Sequence, residues 1–184
     1  YLTEAQLEAY FTYLTLEKKA SRNTIHIQLN GIHFFFEHVL HRSFTITKPL
    51  PKRAHKLPTL LSAVEVRQII TCCEDPKYQT MLWVYYGTGL RLMELIHTKV
   101  KDVDGKRCVL KVEGGKGDKD RYVLLAPSVL ELLRSYWQEY RPRNWLFYSR
   151  RGMDQPVSCS CITKAFRAAA KLSGVGKACS VHSL

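Results

Sequence analysis

Apolar residues recur every three or four positions through most of this chain, the period of helices that bury one face. Leu7, Tyr10, Phe11 and Leu14 form the first such stripe, opened by Thr3 and Gln6 at capping-box spacing. Ser21 caps a second helix whose stripe is Ile25, Leu29, Ile32, Phe36 and Val39 or Leu40. Two helices burying one face each make too small a core to stand alone, so residues 1–47 are expected to need further partners. Ser62 and Glu65 set a second capping box, with Leu61 and Val66 as its hydrophobic staple and Ile69, Ile70 and Cys73 continuing the face. After Asp75-Pro76, the stretch from Tyr78 to Tyr86 is almost wholly apolar and reads as a buried helix. Gly87 and Gly89 are expected to break it, and Arg91 to Lys99 to restart a short amphipathic helix.

The period then changes. Cys108–Val112 and Arg121–Leu125 are strand-like and flank a glycine- and lysine-rich turn, which predicts a β-hairpin. Pro127 opens a helix with Leu130, Leu133, Trp137 and Tyr140 on one face. Trp145–Tyr148 is a short apolar segment. Ile162, Phe166 and Ala169 mark a last helix, closed by Gly174. The predicted class is mainly α with a small antiparallel sheet. It divides into a helical segment at 1–47, a linker at 48–58 and an α+β domain at 59–184. The linker carries three prolines, which forbid a continuous helix, and five Lys, Arg or His residues, Lys52 and Arg53 among them. Such a segment suits a path along a polyanion, and equally a plain solvated connection.

Charge narrows the partners. Twenty-eight Lys and Arg against 16 Asp and Glu leave a formal net charge of +12. The excess is spread along the chain: residues 1–58 hold 8 basic and 4 acidic groups, residues 59–184 hold 20 and 12. Both parts therefore suit a nucleic-acid backbone, although an anionic membrane surface shares that preference. No apolar run reaches membrane-spanning length and no signal-peptide pattern opens the chain. Six cysteines show no CxxC or zinc spacing, and seven histidines form no HxxH or HExxH pair, so neither a disulfide framework nor a metal centre is expected.

Candidate chemistry lies in two stretches. In Thr88-Gly89-Leu90-Arg91-Leu92-Met93-Glu94-Leu95, Arg91 falls at a helix start, where a guanidinium and free backbone N–H groups both favour a phosphate oxygen. Glu94, one turn later, suits the orientation of a neighbouring basic group; the same pair also reads as an ordinary surface salt bridge. In Gly114-Gly115-Lys116-Gly117-Asp118-Lys119-Asp120-Arg121, glycines let the backbone approach a ligand, and a lysine there can protonate a leaving alkoxide. By composition alone it is equally a soluble turn, and it lacks the spacing of a P-loop. Lys119 and Arg121 are candidate DNA contacts. Arg22, Asn23, Thr24 and Gln28, on the polar face of the second helix, suit base readout in a major groove or a plain solvated face.

The order of these elements is more specific than any one of them. A TGLRxxEL helix, a GKGxKxR hairpin, two further helices and a terminal histidine resemble the catalytic domain of the tyrosine recombinases, the phage-integrase family, over residues 59–184. Residues 3–46, with a Ser-x-x-Thr-Ile helix start and a Phe-Phe-Phe ending, look like the latter half of that family's core-binding domain. The resemblance implies Arg91 as the clamp on the scissile phosphate, Glu94 as its acidic support, Lys116 as proton donor to the leaving 5′-oxygen and His182 as a phosphate-binding histidine. It implies double-stranded DNA as partner, assembly of the intact protein into a tetrameric synapse, and no cofactor. It also implies a cytoplasmic, nucleoid-associated protein of a bacterium or phage. The match departs at the C-terminus, where the arginine expected after Leu184, a second His or Trp and the nucleophilic tyrosine are not found. Tyr1 is not an initiator methionine. The chain is therefore expected to be a truncated, inactive form of a site-specific recombinase. The alternatives are a non-catalytic DNA-binding remnant or regulator and a type IB topoisomerase-like protein.

Overall fold

The computed structural model describes residues 3–43, 45, 59–114 and 120–184. The chain divides into two compact units, with the boundary between Leu57 and Pro58.

In the first unit, α1 (Glu4–Leu16) and α2 (Arg22–His38) pack side by side. Both starts follow from their caps: Thr3 and Gln6 close a reciprocal capping box, and the Ser21 hydroxyl accepts from the Thr24 N–H. The shared seam holds Leu7, Phe11, Leu14, Ile25 and Phe36, with Leu29 and Ile32 half-buried beside them. Tyr10, Val39 and Leu40, assigned to the buried stripes by spacing, are exposed. The seam between the two helices described in this unit is too narrow to cover a third row of side chains.

The second unit is built around α4 (Pro76–Thr88), which packs against α3 (Ala63–Thr71), α6 (Pro127–Tyr140) and α7 (Cys159–Leu172). Met81, Leu82 and Val84 of α4 are fully enclosed, and Ile69, Ile70, Leu95, Leu110, Phe147, Ile162 and Phe166 complete the centre of one continuous core. Ser62 and Glu65 form the expected capping box, and Leu61 packs against the core that holds Val66.

Several expectations are corrected here. Gly87 does not break α4; it lies inside the helix, which ends at Thr88, and only Gly89, at φ 62°, provides the left-handed stop. The reason for Gly87 is proximity: a Cβ there would lie 2.8 Å from a Val129 methyl of α6. Gly87→Ala is therefore expected to cost about 1–2 kcal/mol despite alanine's better helix propensity, read as a lower urea midpoint. The helix after the break, α5, is only Leu92–Ile96 rather than Arg91 to Lys99. On α6 the buried aromatic is Tyr136, wedged against Phe147 with ring centroids 5.1 Å apart, whereas Trp137 is 41% exposed.

Strand content also exceeds the expected single hairpin. The strands β2 (Val109–Val112) and β3 (Arg121–Leu124) pair antiparallel in the register Val112↔Arg121 to Val109↔Leu124, and β1 (Val103–Asp104) adds a third strand on β2. A separate two-stranded ribbon joins β4 (Tyr148–Ser149) to β5 (Gly152–Pro156). It escaped sequence reading because β5 is polar and solvent-facing, with no alternation to mark it.

Candidate phosphate-binding site

Arg91 is the N-cap of α5. The chain turns sharply at Gly89, and Leu90, Leu92, Leu95 and Ile96 are all buried in the core, which pins the short helix and leaves Arg91 facing outward with its side chain 56% exposed. A helix of five residues is too short to hold itself, so this burial fixes the arginine's backbone.

Glu94, at the third position of α5, is the hub. Its Oε2 accepts the Arg91 backbone N–H at 2.7 Å, and its Oε1 accepts Arg91 Nη1 at 2.9 Å. From the hairpin, Arg121 Nη1 and Nη2 reach Oε1 and Oε2 at 2.8 and 2.7 Å, a bidentate pair. Free backbone N–H groups are expected at this helix start, but that of Arg91 is taken by Glu94 and is not available to a ligand. One of the five guanidinium N–H donors is spent on Glu94, and the remaining four can meet an oxyanion.

Charge in this cluster is two guanidiniums to one carboxylate, a net positive surface around a group whose side chain is only 11% exposed. The paired bonds from Arg121, then those from the Arg91 backbone and side chain, hold the Glu94 carboxyl down at about 2, against an opposing effect of burial. The same pairing raises Arg121. A folded-state value below the ordinary 4.5 means that this stabilisation is complete above about pH 4.5 and is lost as pH falls towards 2. Wild-type and Glu94→Gln proteins are expected to differ in melting temperature at neutral pH and to converge through that acid window.

His182 lies in a 3₁₀ turn, Val181–Ser183, anchored by buried Val181. Its Nδ1 lies 3.5 Å from the hydroxyl of Tyr85, a nearly buried residue in the last turn of α4. Tyr85 and Arg91 thus flank the Gly89 break, so one bend carries both the partner of His182 and the arginine. Sequence reading passed over Tyr85, since an aromatic in an apolar helix carries no mark of its partner 97 residues away.

The remaining candidates are placed as follows. Lys116 and Lys119, in the hairpin turn, and Lys52 and Arg53, in the linker, lie outside the described residues. At the base of the hairpin, Lys111 bridges Glu113 and Asp120 at 3.1 and 3.2 Å. Arg22, Asn23 and Thr24 are exposed in the first turn of α2, while Gln28 accepts a hydrogen bond from Tyr10 of α1 and is turned partly inward. The six cysteines are free thiols, and among the described residues no cluster of three or more His, Cys, Asp or Glu side chains could hold a metal. No described helix is long and apolar enough to cross a membrane.

Comparison with known proteins defines the class to which this fold and site belong. Residues 59–184 match the phage integrase family, and residues 1–46 match the phage integrase N-terminal SAM-like domain. The chain belongs to the phage integrase family. Two putative integrase/recombinases of Sinorhizobium fredii, y4qK and y4eF, are each 40% identical to it over 185 residues. Both alignments take in the whole of this chain, which spans 60% of the first protein and 73% of the second. Among solved structures, the XerA recombinase superposes with a TM-score of 0.62 at 28% identity, covering 98% of this chain and 65% of its own.

Proposed function

We propose that this chain is the DNA-handling part of a site-specific tyrosine recombinase, which cleaves and rejoins strands through a phosphotyrosine intermediate. The observation that carries this reading is the outward-facing Arg91 guanidinium, held by a nearly buried carboxylate at a helix start in a basic protein of this family. In this reading residues 59–184 form the catalytic domain and residues 1–47 the core-binding domain, joined by the basic linker at 48–58. The partner is double-stranded DNA, on which the whole protein assembles as a tetramer.

The chemistry follows from phosphoryl transfer. A tyrosine oxygen attacks phosphorus in line, forming a Tyr O–P bond as the P–O5′ bond breaks. Arg91 neutralises charge on the non-bridging oxygens, with His182 as a second donor to the same phosphate. Lys116 delivers a proton to the departing 5′-oxygen. Glu94 holds Arg91 in place. The covalent intermediate keeps the energy of the broken bond for rejoining, so no nucleotide cofactor is consumed.

None of the ten tyrosines within these 184 residues follows the His182 segment, where the family's motif order puts the nucleophile. The 184-residue polypeptide is therefore expected to bind DNA without breaking it. The test is a suicide duplex incubated with the purified chain. A salt-sensitive, non-covalent complex is expected; a covalent protein–DNA adduct overturns the inactivity, and affinity indifferent to salt overturns the DNA reading.

A further inference from the structure

We propose that Arg121 is a positioning residue that ties the mouth of the β2–β3 hairpin to the Arg91 clamp through Glu94, and so fixes the orientation in which Arg91 meets a phosphate. The proposal rests on Arg91 binding phosphate and adds a third residue to that site. It also reassigns Arg121 from contacting DNA to orienting the group that does.

Three observations converge on it. Arg121 is the first residue of β3 and pairs with Val112, the last ladder pair before the turn, so whatever holds Arg121 holds the hairpin at its mouth. Its bond to Glu94 is bidentate, with both terminal nitrogens on the two carboxylate oxygens at 2.8 and 2.7 Å. Two parallel bonds between planar groups fix angle as well as distance, which a lysine's single ammonium does not. Finally, the same two oxygens serve Arg91, one through its backbone N–H and one through Nη1. Four hydrogen bonds therefore run from the hairpin mouth through one carboxylate to the backbone and guanidinium of the clamp.

The geometry has a consequence for catalysis. The β2–β3 pair and α5 are separate elements, joined in sequence by the 3₁₀ turn Val100–Asp102 and β1. If each moved independently, the Arg91 guanidinium would hold a single orientation only part of the time. With Arg121 locked onto Glu94, displacement of β3 is transmitted to Arg91. The charge stabiliser is then held ready before the phosphate arrives, the preorganisation on which electrostatic catalysis depends.

The test uses the 184-residue chain with Arg121→Lys and Arg121→Gln. Order parameters are measured at Arg91 Nε–H by ¹⁵N relaxation, alongside the salt dependence of binding to a short duplex of random sequence. Both variants are expected to retain wild-type amide spectra outside α5 and the hairpin, with the Arg91 order parameter lower by about 0.2. Duplex affinity should stay within about threefold, with an unchanged salt slope. Unchanged Arg91 order in both variants overturns the proposal. A slope shallower by about one in Arg121→Gln makes Arg121 a phosphate contact and also overturns it. General loss of amide dispersion in both variants overturns it too, since the pair would then be holding the fold. Failure of the underlying reading shows elsewhere: Arg91→Ala would leave affinity and salt slope untouched, whatever the Arg121 variants do.

Discussion

Phe166→Ala is expected to lower the stability of the 58–184 unit by about 4 kcal/mol, the usual cost of emptying a phenylalanine site that cannot collapse. Phe166 has no exposed surface and sits on α7 with Ile162 and Ala169, in the core shared with α4. Domains of this size are stable by only about 5–15 kcal/mol, so the variant should populate unfolded forms readily at moderate temperature. In urea the midpoint should fall by about 2 M at an ordinary dependence on denaturant. Trp137→Ala is the control. Its ring is larger but 41% exposed, stacked on Arg141 at 4.6 Å from guanidinium carbon to ring centroid, and its loss should cost about 1 kcal/mol. A Trp137→Ala loss equal to that of Phe166→Ala would contradict the assignment of the buried face of α6.

Glu94→Ala carries the second large effect, about 2–3 kcal/mol at neutral pH. The substitution removes a helix-start cap, worth about 1 kcal/mol, and both hydrogen bonds of the bidentate ion pair with Arg121. It also leaves Arg91 and Arg121 facing each other without a counter-charge. Their partial exposure, 56% and 36%, lets water screen the repulsion and keeps the loss below that of a fully buried pair. Glu94→Gln should recover part of the loss by keeping an acceptor for the backbone N–H of Arg91. An Ala variant within about 0.5 kcal/mol of wild type would mean that the four bonds to this carboxylate hold nothing together.

Local signals in the sequence carried most of the fold. The Ser62–Glu65 capping box, the apolar run of α4 and the Ile162–Phe166–Ala169 stripe are set by neighbours within a turn or two, and each forms where its pattern places it. Features fixed by distant partners were not legible. Gly87 reads as a helix breaker until Val129 is seen against it, and Trp137 reads as core until Phe147 is seen to select Tyr136 instead. The ribbon of β4 and β5 is polar along its second strand and leaves no periodic trace.

The site divides along the same line. Arg91 and Glu94 lie three residues apart, and their spacing alone suggested a mutual bond, which forms at 2.9 Å. The second and stronger partner of Glu94, Arg121, comes from 27 residues further on, and no local pattern links them. The placement of Arg121 directly after a glycine-rich turn is a signal in retrospect, because the first strand residue after such a turn is where a hairpin can be anchored to its surroundings. Tyr85 beside His182 left no comparable signal.

The most direct measurement of the central claim, that Arg91 binds a phosphate of DNA, compares how duplex affinity falls with salt in the wild-type chain and in Arg91→Ala. A phosphate contact releases about one counterion, so the log–log slope of Arg91→Ala should be shallower by about one, with weaker binding at every salt concentration and a melting temperature close to wild type. Superimposable salt curves for the two proteins would contradict the account.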